Sequence, residues 1–544
     1  MNSGLLGFKT RVVGQFDPLP KLAVTAALIE YHSLFPPSMW KCASMRWMTQ
    51  KIFWLLPMSM AFLFAAEPAM KCDALAAKSF GDQVKIHSST LVPDKGSLPE
   101  HCDVRGVIWP EAGFAIKLPA TWNERFQMVG NGGTAGTISL GAVDGAVRKG
   151  FAASSTDTGH DAAKEPLATF AYVTPENPNG HRKLLDFAYL AVHETAVLSK
   201  EVIKAYYGTA PRYSYWVGCS TGGRQGMHEA QRYPEDFDGL VIGAPGLYLT
   251  GNVTRRLWVG QSQLGDGAIP VEKLPILTKL VYDKCDAIDG LKDGIIDDPR
   301  RCGFNPTKDV PKCDGADGKD CFTAPQMEAL GKIYGGPHNS KGKQLFPGEP
   351  VGSEPVWSDN LIGPIKTVLP RSESQMKMAM LDPPPGPSWS YTMFNFDTDP
   401  PRVAKAAAEL NARNPDLAPL KERGGKIIHY SGWADQQVNP FPGIEYYETV
   451  SKRMGYAATR DFYRLFMVPG MFHCNGGPGC SSVDWLSSLM DWVEKGTAPA
   501  QLTGSHIENG KTTRTRPICP YPQVARYKGT GSIDEEGSFA CVAI

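Results

Sequence analysis

The stretch Gly218-Cys219-Ser220-Thr221-Gly222 constrains this chain more than any other, because it sets an abrupt turn between two regular elements. Tyr213-Ser214-Tyr215-Trp216-Val217 before it has the aromatic and β-branched content of a strand, and Gly223-Arg224-Gln225-Gly226-Met227-His228-Glu229-Ala230 after it opens a helix. Side chains beside so tight a turn would collide with the backbone, which is why glycines flank it. The serine hydroxyl is then left exposed at the positive end of the helix. A bare G-x-S-x-G arises often by chance. Set between a strand and a helix, it reads as the elbow that presents a nucleophile, with a structural Gly-rich turn as the alternative.

A serine nucleophile needs a base and an acid that orients it, and behind such an elbow they follow in the order acid, then histidine. Lys426-Ile427-Ile428-His429-Tyr430-Ser431-Gly432-Trp433-Ala434-Asp435 reads as a buried strand running into a loop, with Asp435 at its carboxyl end. Phe462 to His473 repeats the pattern and delivers His473. Either residue alone reads as structural; order and placement together make them candidates. Cys219 directly precedes Ser220 and Cys474 directly follows His473. A bridge between them would fit, and since bonded cysteines hold their Cα atoms roughly 5.5 Å apart, it would bring Ser220 and His473 within reach of each other. Two unrelated buried thiols are the alternative.

Four segments now resemble one family: Gly218-Cys219-Ser220-Thr221-Gly222-Gly223-Arg224, Ser431-Gly432-Trp433-Ala434-Asp435, Pro469-Gly470-Met471-Phe472-His473-Cys474, and Arg516-Pro517-Ile518-Cys519-Pro520-Tyr521-Pro522. The chain is similar to the tannase and feruloyl esterases, a family that includes terephthalate half-ester hydrolases. The likeness runs from about residue 70 to the C-terminus. It implies an α/β-hydrolase core with a large inserted lid domain, and a serine esterase with Ser220, Asp435 and His473 as its triad. The tetrahedral oxyanion of such a reaction needs donors set in advance. One is the amide after the nucleophile, Thr221. The Gly-rich loop in Phe126 to Gly136 suits the second, which the resemblance places at Gly133, with Gly132 next to it. No Lys-Ser/Thr follows that loop, so it is not a Walker phosphate cradle.

Cys285 to Asp298 crowds carboxylates and glycines together, a composition that points to a hard cation held by oxygens, calcium above all, or to a solvated acidic turn. The resemblance implies a structural Ca2+ held by the carboxylates of Asp286, Asp289 and Asp293 with the carbonyls of Leu291 and Ile295. Of the 12 cysteines, the resemblance pairs Cys72 with Cys102, Cys219 with Cys474, Cys285 with Cys302, Cys313 with Cys321, and Cys519 with Cys541. Cys42 and Cys480 are left over. Such cysteine usage belongs to an oxidising compartment.

Positive charge in Met45 to Lys51 precedes the apolar run Ile52 to Phe64, the pattern of a signal peptide too short for a comfortable membrane span. Residues 1–44 read as translation from an upstream start, and the mature chain is expected to begin near residues 66–70, secreted or periplasmic, with no membrane attachment after processing. An anchored N-terminal helix is the alternative. The remaining length, about 475 residues, exceeds one ordinary domain. The expected organisation is an extension and signal peptide over 1–69, core over 70–245, lid over 246–415 and core again over 416–544. His181 to Tyr207 reads as one long amphipathic helix before the nucleophile strand. Lys plus Arg equals Asp plus Glu at 56 each, and no basic run interleaves with aromatics, which excludes nucleic acid as a partner.

The partner expected instead is a small aromatic ester or an ester-decorated plant polymer. Hydroxycinnamate or gallate-type esters rank first and terephthalate half-esters lower. Trp357, Trp389, Tyr391, Phe394 and Phe396 are candidates to line a slot for an aromatic acyl group, against a role in packing, and Arg371 is the candidate to hold a free carboxylate. His160 is read as a core hydrogen-bonding residue. Three rivals stand beside the esterase: a thiol enzyme using Cys219, a lipase or peptidase on the same fold, and a non-enzymatic calcium-binding module.

Overall fold

The structure, a computed structural model, describes residues 68–363 and 368–543. The expected signal peptide and upstream extension, and Cys42, lie outside the described residues. Nine strands form one mixed sheet: β1 (Val84–Val92), β2 (His101–Ile108), β3 (Ala112–Pro119), β4 (Arg125–Val129), β5 (Ala152–Thr156), β6 (Tyr213–Cys219), β7 (Gly239–Gly243), β8 (Lys426–Gly432) and β9 (Tyr463–Val468). Their order is β1-β2-β3-β5-β4-β6-β7-β8-β9. The pairings from β1 to β5 are antiparallel, and those from β5 through β4 to β9 are parallel. This is the α/β-hydrolase class of fold, as expected.

The parallel strands are short apolar runs because helices cover both of their faces. Neighbouring residues therefore point into different cores. Trp216, Leu240 and Ile427 pack on one side with α3 (Leu190–Tyr207) and α4 (Thr221–Arg232), while Tyr215, Val241 and Ile428 pack on the other with α1 (Leu140–Arg148) and the helix Trp485–Lys495.

The single long helix expected over His181 to Tyr207 is instead two, α2 (Gly180–Ala188) and α3, broken at Tyr189, whose φ of −163° is not helical. The physical cause is Arg224 of α4. Its buried guanidinium donates to the carbonyls of Phe187 (3.2 Å) and Ala188 (3.3 Å) and lies over the Phe187 ring, taking carbonyls that a continuous helix would use itself.

Among the described residues no strand of the sheet forms between β7 and β8. The chain there begins with α5 (Leu249–Ser262) and continues through helices and turns that enclose their own apolar clusters. After β9 come two hairpins, β10 (Leu502–Glu508) with β11 (Lys511–Ile518), and β12 (Gln523–Tyr527) with β13 (Phe539–Ala543). Five disulfides close Cys72–Cys102, Cys219–Cys474, Cys285–Cys302, Cys313–Cys321 and Cys519–Cys541. Cys480 is free and buried. No helix among the described residues is long and apolar enough to cross a membrane.

Candidate active site

Ser220 stands between the end of β6 and the start of α4 with φ 63° and ψ −120°, a region that costs a non-glycine residue on the order of 1–3 kcal/mol. The surroundings impose it. The Ser220 amide donates to the Gly243 carbonyl (3.0 Å), and a Cβ at Gly223 would come within 2.2 Å of that same oxygen. A Cβ at Gly218 would meet the Gly222 backbone at 2.6 Å. The glycines thus let α4 start directly behind the serine.

Asp435 follows β8 and His473 follows β9, so both stand, like Ser220, beyond the carboxyl ends of parallel strands. His473 Nδ1 lies 2.8 Å from Asp435 Oδ2. Asp435 is fully buried, and its other oxygen accepts the amides of Gln437 and Val438 at 2.8 Å each. The carboxylate is thereby fixed, and with Nδ1 occupied the imidazole keeps Nε2 for another partner. The Cys219–Cys474 bridge, with Cα atoms 6.1 Å apart, joins the residue before Ser220 to the residue after His473. Its sulfur is consumed in that bond, which removes Cys219 as a nucleophile.

Gly133 and Thr221 line one cavity with Ser220, and the Thr221 hydroxyl donates to the Gly133 carbonyl at 2.5 Å. Two residues that the sequence reading passed over hold this loop to α4. Asn131 and Gln225 exchange hydrogen bonds, amide to Oε1 and Nε2 to Oδ1, each 3.1 Å, while the Asn131 carbonyl accepts the Gly222 amide at 2.8 Å. His160 stacks on Phe170 at 3.8 Å and packs against Gly136 of the same loop. Burial lowers it to about 4, so it is a neutral core residue at ordinary pH.

Arg255 and Arg256 were also missed, since a charged pair on a helix reads as solvated. Both are buried. Arg255 forms an ion pair with Glu349 and donates to the carbonyls of Gln436 and Gln437 (3.2 Å each), and Arg256 donates to Gln437 (2.6 Å). They brace the loop that carries Asp435. Arg256 also lines the serine cavity, together with Arg371 and Gln375 of the helix Val368–Gln375. The aromatic residues offered for an acyl slot do not line it. Trp357 is fully buried beside Tyr334, and Trp389, Phe394, Tyr391 and Phe396 belong to the apolar cluster of the inserted region, so packing is their role.

In the acidic loop, Asp286 Oδ1 accepts the amides of Asp293 (3.3 Å), Gly294 (3.0 Å) and Ile295 (3.2 Å), and Asp289 accepts that of Leu291 (3.0 Å). Asp297 is pushed well above the usual carboxylate range by burial and by Asp289 and Asp293 beside it. A crowd of carboxylates with flanking carbonyls is the donor chemistry of a hard cation such as Ca2+. One of them, Asp293, is also ion-paired to Arg516. Cys480 is held 3.7 Å from the Arg514 carbonyl, and burial raises its thiol to about 11, which makes it inert.

A strained serine at the strand-to-helix elbow of the sheet, with a histidine–carboxylate pair tied to it, goes with the α/β-hydrolase class of protein. The profile of the family described as tannase and feruloyl esterase matches residues 98–381 and 385–542, and the chain belongs to that family. It is similar to the mono(2-hydroxyethyl) terephthalate hydrolase of Piscinibacter sakaiensis, 33% identical over 566 residues that cover 87% of this chain and 91% of that one. A probable feruloyl esterase of Arthroderma benhamiae is 33% identical over 450 residues, 78% of this chain and 81% of its own. The crystal structure of feruloyl esterase B from Aspergillus oryzae superimposes with a TM-score of 0.77 at 26% identity, covering 87% of this chain and 99% of that one. The chain is accordingly a carboxylic ester hydrolase, which sets aside the non-enzymatic reading.

Proposed function

We propose that this enzyme hydrolyses esters of aromatic acids, of the feruloyl or galloyl type, through Ser220, His473 and Asp435. The observation that carries the reading is the 2.8 Å His473–Asp435 contact, linked through Cys474–Cys219 to the serine elbow. His473 takes the Ser220 proton as the hydroxyl attacks the ester carbonyl, and Asp435 stabilises the imidazolium and fixes its tautomer. His473 then protonates the departing alcohol. In the second half-reaction it deprotonates a water that attacks the acyl-enzyme, and Ser220 is regenerated as the acid leaves. The amides of Gly133 and Thr221 receive the oxyanion, each worth about 3 kcal/mol of transition-state stabilisation. Asp286, Asp289 and Asp293 with the carbonyls of Leu291 and Ile295 would hold a structural Ca2+, which when bound cross-links the acidic loop. Five disulfides support secretion or export to an oxidising compartment.

A second reading, a terephthalate half-ester as substrate, is favoured by Arg256 and Arg371. Both line the serine cavity, and Arg371 makes no ion pair among the described residues. Guanidinium groups there would receive a free carboxylate on the acyl moiety. The test is turnover of methyl ferulate, methyl gallate, chlorogenic acid, a terephthalate half-ester and p-nitrophenyl butyrate by the oxidised enzyme and by Ser220→Ala. Preference for a neutral aromatic ester, abolished in Ser220→Ala, supports the first reading. Preference for the half-ester that Arg371→Gln removes through KM supports the second, and turnover undiminished in Ser220→Ala overturns both.

A further inference from the structure

At the far end of the nucleophile helix, about 13 Å along its axis from Ser220, Glu229 is 1% exposed and neither of its oxygens meets a hydrogen-bond donor. It faces a second acid. Asp236, in the turn between α4 and β7, is also buried, and its Oδ2 lies 2.6 Å from Nδ1 of His193 on α3. One ligand atom from each of His193, Glu229 and Asp236 can be chosen so that all three lie within 4.8 Å of one another. Lys200, the nearest cation on α3, does not neutralise the pair directly. Its ammonium donates to the Glu235 carbonyl (3.3 Å) and lies over the Phe237 ring.

Two buried carboxylates facing one another need a cation or a proton between them, because an acceptor cannot satisfy an acceptor. A shared proton would join the two acids alone, with His193 only donating to Asp236 beside them. An imidazole and two carboxylates arriving from three separate elements are instead the ligand set of a divalent transition metal with one position open to water. Bonds of about 2.1 Å would place tetrahedral ligand atoms about 3.4 Å apart, so the side chains need to move by little. The ring of His193 is flanked by Tyr233, stacked at 3.7 Å, and its side chain is 30% exposed, which gives the ion a way in from solvent.

We infer that His193, Glu229 and Asp236 form a structural site for a divalent transition metal, zinc being the natural occupant, that pins α3, α4 and the turn before β7 together behind the nucleophile. The site is distinct in place and in ligand chemistry from the acidic loop, which offers oxygen donors alone.

The test is metal binding by the full, oxidised, tag-free chain in millimolar calcium, so that oxygen-only sites are occupied. One equivalent of zinc retained after dialysis, a visible d–d band on cobalt substitution, and thermal unfolding raised by zinc are the expected results. His193→Ala and Glu229→Gln should each weaken zinc binding at least as much as the roughly 10- to 100-fold that loss of an outer-shell partner costs. A wild type that retains no zinc overturns the proposal, and so does a Glu229→Gln variant that is more stable than the wild type with or without zinc, since that is the signature of a shared proton. Should Glu229→Gln fail to fold, His193→Ala decides alone, because its side chain reaches the surface; unchanged zinc affinity in that variant overturns the site.

Discussion

At the residue scale, the fate of each polar side chain is set by what surrounds it, and His160 shows the consequence. It is held near 4 in the folded chain by burial, with Lys183 opposing and Asp161 favouring its charge, whereas an unfolded histidine titrates near about 6.5. The folded value is the lower one, so the unfolded state binds more protons between the two. The contribution of His160 to stability is therefore complete above about pH 6.5 and is lost as pH falls through that window toward 4. His160→Gln, which has no proton to take, should lose less stability between pH 7 and pH 5 than the wild type, by up to about 2 kcal/mol. Urea midpoints of both proteins at the two pH values check this. Equal losses would show that the ring is not excluded from water. Ser220 was readable from its glycines, since only a turn without flanking Cβ atoms can admit Gly243's carbonyl at that distance. Asn131 and Gln225 were not, because an amide exchange 94 residues apart leaves no local pattern.

At the element scale, α5 is the part whose purpose the sequence hid. Its Arg255 is buried against Glu349 and braces the loop after β8. Burial raises Glu349 to about 7, with Arg255 and Arg256 pulling it back down. Removing one member of a buried pair leaves the other uncompensated, at a cost of about 3–5 kcal/mol. Glu349→Ala should therefore lower stability by that order and reduce kcat, as the Asp435 loop loses its brace, with a smaller effect on KM. Chemical denaturation and steady-state kinetics on the same preparation check both parts. Loss of stability with an unchanged kcat would show that the loop holds itself. The strands β6 to β9 were legible as apolar runs with β-branched and aromatic residues. The break between α2 and α3 was not, because the agent that causes it, Arg224, arrives from another helix.

At the scale of the whole molecule, the acidic loop of the inserted region is clasped by the C-terminal hairpins. Arg516 pairs with Asp293, Arg514 donates to the Asp293 carbonyl (3.2 Å), and Arg526 donates to that of Asp289 (2.8 Å). A cation bound there would order a loop that arginines more than 200 residues away in the chain already hold. Chelation with EGTA should lower the unfolding temperature by on the order of 5 °C, calcium rather than magnesium should restore it, and Asp289→Asn should unfold at one temperature regardless of calcium. Differential scanning calorimetry checks this, and a wild type indifferent to EGTA would leave the loop to its arginines alone.

The sequence by itself determined the elbow, the order of acid and histidine behind it, the strands that deliver them and the family, because each of these is written in contiguous residues whose spacing follows backbone geometry. The tertiary structure alone decided that the inserted aromatics pack instead of lining the serine cavity, that Arg256 and Arg371 line it, and that His193, Glu229 and Asp236 converge. These depend on which faces of distant elements meet, and burial turns the same side chain from a solvated charge into a brace or a ligand only after the chain has closed around it.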